Sequence, residues 1–186
     1  MILETERLIL RDWQEEDIDE LIALKGDSQV MKHFPGTDSK EKVRENFIKS
    51  RSNSAKHGYW YWPVILCETN EFLGFCGIAE TGYETPFGPI TEIGWSLNAR
   101  FWGKGYTTEA ARAWLGHAFD ILDKPEVVSF TTNNNLPSLS VMKKLGMKRD
   151  AAKDFDHPRV SAKTHPHLVR HVVYSMTNKE WRKQTQ

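Results

Sequence analysis

The chain has 186 residues, about one domain's worth, and 39% of them are apolar, enough for a single sizeable core. Its 25 basic and 25 acidic side chains cancel, which excludes a strongly basic nucleic-acid coat or an acidic disordered tail as its main character. The longest mostly apolar run, Trp60 to Cys67, contains Pro63 and is too short to span a bilayer. The opening Met1-Ile2-Leu3-Glu4-Thr5-Glu6-Arg7 has no basic region followed by an apolar stretch, so no signal peptide is expected. Cys67 and Cys76 suit neither a disulfide framework nor a CxxC metal motif, and a reducing, cytoplasmic setting is expected. No repeat, low-complexity tract or Gly/Ser linker interrupts the chain, so residues 1–186 read as one domain.

Glu6 to Arg11 alternates and predicts a strand with Leu8 and Leu10 on one face. Glu15-Glu16-Asp17 places acids at a helix start, where the macrodipole favours them, and Ile18, Leu21 and Ile22 follow at helical spacing. Ser39 is a fitting N-cap for a second helix carrying Val43, Phe47 and Ile48, and Gly58 ends that region. Tyr59–Cys67 and Phe72–Glu80 are aromatic and β-branched runs that read as a hairpin around Glu68–Glu71. Thr81–Pro89, with two Gly and two Pro, reads as a loop, and Ile90–Leu97 as the next strand. From Gly105 to Leu122 the apolar period becomes helical, with Ala110, Ala111, Trp114, Leu115, Ala118, Phe119 and Leu122 on one face. Val127–Thr132 is a strand. Leu136–Leu145 is a short helix with Asn135 as N-cap, Pro137 in the first turn and Gly146 at the C′ position. Met147–Asp156 and His171–Thr177 are extended, separated by the polar stretch His157–His167. The order predicts an α+β domain with a mixed sheet.

The most informative segment runs from Glu92 to Ala111, where a strand ends, a glycine-rich turn follows and a helix begins at once. Free N–H groups at a helix start, with glycines that permit close approach, make an anion site, and Arg100 and Lys104 add positive charge. For the bare pattern, an ordinary glycine turn before a helix is the alternative. Lys104 is followed by Gly105 rather than Ser or Thr, which disfavours a P-loop. Thr108 stands where a dinucleotide fingerprint needs its third glycine. What remains is R-x-x-G-x-G, with Arg100, Gly103 and Gly105.

That motif resembles the Q/R-x-x-G-x-G/A signature of the GNAT acyl-CoA-dependent N-acetyltransferases. The resemblance extends over nearly the whole chain. Leu3–Arg11 is similar to the first strand of the branch that includes the ribosomal-protein N-terminal acetyltransferases, and Trp102–Ala110 to its pyrophosphate loop. Asn135-Leu136-Pro137-Ser138, with Val141–Met147 after it, resembles the N-x-x-S…K-L-G-F segment, and Trp181 fits the usual ending. The fold this implies is a V-shaped, mostly antiparallel central sheet of about seven strands flanked by about four helices, with the pantetheine arm between splayed fourth and fifth strands. The activity it implies is transfer of an acetyl group from acetyl-CoA to a primary amine, by direct attack in a ternary complex. The acceptor is either a protein N-terminus or a small-molecule amine, and the protein either a monomer or a homodimer.

Carried over residue by residue, the resemblance makes Glu92 the leading general base, with Glu80 and Glu84 in reserve. Backbone N–H groups at Trp95, Ser96 and Leu97 would stabilise the carbonyl oxygen. Arg100, Trp102, Gly103, Lys104, Gly105, Tyr106 and Thr107 would hold the pyrophosphate, and Asn135 the pantetheine arm. Many family members protonate the leaving thiolate with a Tyr where this chain has Met142, which leaves Ser138 or a water as the acid. Lys143, Lys144, Lys148 and Arg149 could meet the 3′-phosphate of CoA or simply form a solvated face.

Other chemistries are less well served. Gly94-Trp95-Ser96-Leu97-Asn98 lacks the last glycine of the hydrolase elbow. His157, His165, His167 and His171 are joined by no Cys and lack ligand spacing, so no metal is expected and a solvent or acceptor-side loop is preferred. Zero net charge and the absence of a basic aromatic stripe argue against nucleic acid as a partner, and the apolar runs against a membrane. The rival class is a non-catalytic acyl-CoA-binding or regulatory domain on the same fold.

Overall fold

In the computed structural model, which describes residues 2–185, the chain begins by folding back on itself. Strand β1 (Ile2–Glu4) pairs antiparallel with β2 (Leu8–Arg11), so the strand expected over Glu6–Arg11 starts two residues later. Thr5–Arg7 is the turn between them, and the Thr5 N–H donates to the Leu8 carbonyl at 2.9 Å. The described residues divide into two compact units: one runs to Ala79 and includes Gly94–Trp114, the other holds Glu80–Ile93 and the chain from Leu115 on.

In the first unit β2 pairs with β3 (Tyr61–Leu66), which pairs with β4 (Phe72–Glu80), both antiparallel. The Asn98 N–H closes on the Leu73 carbonyl at 2.8 Å, beyond the end of β5 (Thr91–Leu97). Two glycines on β4 set how closely the strands approach. A Cβ at Gly77 would fall 2.1 Å from the Trp60 carbonyl oxygen, and one at Gly74 (φ +143°) 2.2 Å from that of Ser96. Helices α1 (Ile18–Gly26) and α2 (Lys40–His57) seal a core of Trp13, Leu21, Leu24, Val30, Val43, Phe47, Ile65 and Phe72. Ser39 caps α2 by accepting from the Lys42 N–H, and Gly58 ends it in the left-handed region at φ +76°. The expected helical face of α3 (Tyr106–Gly116) is buried: Ala110, Ala111 and Trp114 are wholly inaccessible, and Trp114 meets Trp62 edge-on with centroids 4.7 Å apart.

In the second unit the start of β5 pairs in parallel with β6 (Glu126–Thr132), Thr91 against Val127 and Glu92 against Val128. β6 runs antiparallel to β9 (Arg170–Thr177). Two short strands, β7 (Lys148–Arg149) and β8 (Phe155–Asp156), pair antiparallel with β9 as well. Helix α4 (Leu136–Lys144) is capped by Asn135 as expected. Two further helices, α5 (Pro166–Val169) and α6 (Asn178–Thr185), complete the unit. Among the described residues no helix is long and apolar enough to cross a membrane.

The α+β class and the mostly antiparallel sheet are as expected, but among the described residues there are nine strands and six α-helices rather than about seven and four. The extra strands arise at both ends of the sheet sequence. β1 precedes the predicted first strand, and Met147–Asp156 breaks into β7 and β8 around a 3-10 turn at Ala151–Lys153. Helix α6 escapes a pattern reading because Trp181 is its one buried apolar anchor; its indole N–H reaches Asp120 Oδ1 at 3.1 Å and its ring lies 5.9 Å from Phe119. The helix expected over Gly105–Leu122 is α-helical only to Gly116. His117–Ile121 widens into a π turn closed by the Leu122 N–H on the His117 carbonyl.

Candidate active site

The glycine loop is assembled wholly within the first unit. β5 ends, Ala99–Phe101 makes a 3-10 turn, and α3 starts at Tyr106. Gly103 (φ +76°) and Gly105 (φ +86°) both sit in the left-handed region, which side chains disfavour. The Gly105 carbonyl accepts the Glu109 N–H at 3.1 Å, so the preceding N–H groups at the helix start have no acceptor within α3. The Trp102 indole N–H donates to the Leu97 carbonyl at 2.7 Å and pins the loop to the strand. Ser96 and Leu97 are buried and Trp95 is half-buried. Arg100 is exposed, 3.5 Å from Glu71 and over the Phe101 ring, and Lys104 also lies over Phe101. Left-handed glycines, free helix-start N–H groups and two flanking cations fit a pyrophosphate.

Two residues that sequence reasoning did not single out hold this loop. The Glu109 carboxylate, in the first turn of α3, accepts from Thr5 Oγ1 at 2.6 Å, from the Arg7 N–H at 3.0 Å and from Arg7 Nε at 2.7 Å. Arg7 Nη1 donates to the Lys104 carbonyl at 3.2 Å, and the guanidinium lies 4.6 Å over the Tyr106 ring. Burial raises the Glu109 pKa, but the bonds from Thr5 and Arg7 outweigh it and leave the carboxyl below its usual value. An acid beside an anion site would repel its guest, and Arg7 cancels that charge. The available signal was an acid in the first helical turn, where it favours the dipole.

The remaining candidates lie in the second unit. Glu92 is half-buried on β5, and its charge, after burial, pushes the Tyr83 phenol up. Of the reserve acids, Glu80 is committed to Thr91 Oγ1 (2.9 Å) and Lys124 Nζ (2.8 Å), and Glu84 is exposed. Asn135 Oδ1 accepts from the Ser138 N–H at 3.4 Å, while its Nδ2 donates to Thr131 Oγ1 at 2.8 Å. The amide therefore anchors α4 to β6 and keeps one Nδ2 hydrogen. Ser138 is half-buried, and its hydroxyl has no hydrogen-bond partner among the described residues. Met142 is 1% exposed and packs in the core, so that position offers a thioether and no proton.

The basic cluster does not act as one surface. Lys148 pairs with Glu180 at 2.6 Å, Arg149 with Asp154, and Lys143 is exposed. Of the four clustered histidines, His157 and His171 lie with ring centroids 4.8 Å apart and planes tilted by 44°, and His165 and His167 lie 6.4 Å apart. No group of three or more metal-ligating side chains is gathered among the described residues.

Residues 7–148 match the family model for the acetyltransferase (GNAT) domain. The chain belongs to the GNAT acetyltransferase family. This GNAT protein is 32% identical over 152 residues to the uncharacterized N-acetyltransferase YnaD of Bacillus subtilis, covering 81% of this chain and 84% of the relative. It also resembles the crystal structure of a GNAT-family acetyltransferase from Bacillus anthracis, with TM-score 0.79, 27% identity, and 97% and 100% of the two chains covered. A structure titled as a putative ribosomal-protein-serine acetyltransferase from Vibrio cholerae shares the fold at TM-score 0.75 and 20% identity, over 95% of this GNAT chain and 97% of that one. The protein is thus an N-acetyltransferase of a family that uses acetyl-CoA as donor.

Proposed function

We propose that this protein, as a single acetyltransferase domain over residues 1–186, transfers acetyl from acetyl-CoA to a primary amine in a ternary complex. The observation that carries the reading is the loop from Trp102 to Thr107, with left-handed Gly103 and Gly105 opening directly into α3. Acetyl-CoA supplies the activated thioester. The helix-start N–H groups, Arg100 and Lys104 hold its pyrophosphate, and the remaining Nδ2 hydrogen of Asn135 serves the pantetheine arm. Glu92 removes the proton from the acceptor ammonium, through a water where needed. N–H groups at Trp95, Ser96 and Leu97 stabilise the carbonyl oxygen as it gains charge. The Ser138 hydroxyl gives its proton to the departing thiolate, a role that Met142 cannot take. The acceptor is a protein N-terminus or a small amine, and two free thiols, Cys67 and Cys76, suit a cytoplasmic setting.

The test starts with melting temperature. At acetyl-CoA a hundredfold above Kd, linkage is worth about 2.7 kcal/mol and raises Tm by roughly 5–11 °C. CoA release is then measured against a tetrapeptide with a free N-terminus, spermidine, free amino acids and an aminoglycoside. Glu92→Gln retains the Tm shift and loses most of the turnover. Absence of any shift at millimolar acetyl-CoA sinks the reading. A shift without turnover on any amine favours the acyl-CoA-binding rival instead.

A further inference from the structure

Lysine side chains are ordinarily solvated, yet Lys25, in the last turn of α1, is half-buried, and the acetyl-transfer reading gives it no task. Its Nζ lies 4.9 Å from the ring centroid of Phe75 on β4 and 5.1 Å from that of Phe34, which follows the 3-10 turn Val30–His33. The acid at hand is Asp38, whose N–H donates to the Lys25 carbonyl at 3.1 Å. Its carboxylate, however, is bonded to Lys42 Nζ at 2.5 Å, and Lys25 Nζ has no ion pair or hydrogen bond of its own among the described residues. Two cations thus share one carboxylate, and the surplus positive charge falls on the half-buried ammonium. Burial pushes the Lys25 amine down, Asp38 offsets part of that, and Lys42 adds to it, the pattern of a cation short of an anion. Packing of the aliphatic stem accounts for the ring contacts but not for an ammonium drawn out of water beside a carboxylate already taken.

Aromatic rings lead from this ammonium to the strand whose N–H groups would stabilise the reacting carbonyl. Phe75 meets Tyr61 of β3 edge-on with centroids 6.0 Å apart; the two are diagonal neighbours, since Tyr61 pairs with Gly77. Tyr61 in turn lies against Gly94 of β5, where a Cβ would fall 3.2 Å from Tyr61 Cε1. Phe34 is 42% exposed and Phe75 and Tyr61 are half-buried, so apolar ring surface stays open along the path, all of it within the first unit. We propose that Lys25 determines acceptor specificity: its ammonium takes the carboxylate of an acceptor whose apolar or aromatic body lies along Phe75 and Tyr61, with the reacting amine at the Gly94 end of the path. This rests on the acetyl-transfer reading and narrows its acceptor to an amine that bears a carboxylate, such as a free apolar amino acid. The carboxylate supplies the counter-charge that Asp38 has given to Lys42. A polyamine or aminoglycoside brings further cations to the Lys25 charge and is rejected by repulsion.

The test compares L-phenylalanine with L-phenylalaninamide as acceptors, a pair in which a neutral amide replaces the carboxylate. The acid-to-amide ratio of kcat/KM is expected to fall about tenfold in Lys25→Met, through KM rather than kcat, and to be largely kept in Lys25→Arg. Comparing that ratio between proteins cancels the different basicity of the two amines. Calorimetry gives a readout without turnover: with CoA present, N-acetyl-L-phenylalanine binds about tenfold more weakly to Lys25→Met than to the parent, and N-acetyl-L-phenylalaninamide shows no such difference. A ratio unmoved in a Lys25→Met protein that still melts cooperatively overturns the proposal. So does a panel in which spermidine or the aminoglycoside surpasses every carboxylate-bearing amine. If no amine is turned over, the acetyl-transfer reading falls, and the calorimetric difference alone decides whether Lys25 holds a carboxylate.

Discussion

Replacing Arg7 with Met tests whether a residue nearly a hundred positions from the glycine loop governs anion binding there. Methionine keeps the unbranched stem and the backbone N–H bond to Glu109. It loses the Nε and Nη2 contacts to the Glu109 carboxylate (2.7 and 2.5 Å), the bond to the Lys104 carbonyl, and the cation over Tyr106. Charge-assisted bonds of this type are worth roughly 1.5–3 kcal/mol when shielded from water. The Arg7 side chain is 42% exposed, so about 1–2 kcal/mol is the appropriate range. For a chain of this length that lowers Tm by roughly 2–8 °C. A second effect bears on the ligand. With Arg7 gone, Glu109 carries an uncancelled charge in the first turn of α3, and repulsion of about 1 kcal/mol weakens acetyl-CoA binding roughly fivefold. Calorimetric titration with acetyl-CoA measures this, and the effect shrinks in 1 M NaCl. Glu109→Gln behaves oppositely: it frees a cation beside the loop and leaves affinity unchanged or improved. In the double-mutant cycle, Arg7→Met therefore costs little affinity once Glu109 is already Gln. Equal loss of affinity in both backgrounds refutes the argument that Arg7 acts by cancelling Glu109.

Other expectations follow from the same contacts. Gly77→Ala places a Cβ 2.1 Å from the Trp60 carbonyl oxygen, where only backbone can yield; a loss of about 3 kcal/mol is expected, and a Tm within 2 °C of the parent would contradict it. Glu180 is held at about 2, first by Lys148 and then by the Thr177 N–H, so its contribution is complete above the ordinary carboxylate pKa and vanishes as pH falls towards 2. The stability gap between the parent and Lys148→Gln, read from urea unfolding, should accordingly be widest near pH 6 and close towards pH 2. Asn135→Ala removes both the cap of α4 and its tie to Thr131, at a cost of about 1 kcal/mol, while Ser138→Ala leaves Tm unchanged and slows CoA release.

Much of the architecture is legible because it is written in short-range patterns. Ser39 and Asn135 have the side chains that satisfy helix-start N–H groups, Gly58 and Gly146 take the left-handed conformation, and each marks a helix end found in the structure. The face Ala110, Ala111, Trp114 is legible for the same reason, since burial at helical spacing needs no knowledge of the partner. Where the reading falls short, the deciding partner is distant in sequence. Helix α6 has one apolar anchor, Trp181, whose partner Asp120 is 61 residues away. The helical period through Leu122 gives no hint of a π turn, because widening by one residue preserves the hydrophobic face. Arg7 looks like an ordinary strand-edge arginine until Glu109, 102 residues later, is brought against it.

The two glutamates associated with the chemistry make the same point about function. Glu92 and Glu109 both lie within the stretch that the motif identifies, and residue type alone cannot rank them as bases. Their surroundings separate them. Glu109 takes bonds from Thr5 and from both the backbone and the side chain of Arg7, which holds it below the usual carboxylate range. Such a group is a poor proton acceptor near neutral pH, because every donor around it is lost or weakened on protonation. Glu92 is instead half-buried on β5, opposite apolar Val128 of β6. The role of base proposed for Glu92 asks for a carboxylate that can gain and lose a proton at each turnover. The proposal of Glu92 as base, and the scaffold part that Glu109 plays, therefore rest on what the fold brings to each, which for Glu109 means Thr5 and Arg7, 104 and 102 residues away, rather than on the glutamates themselves.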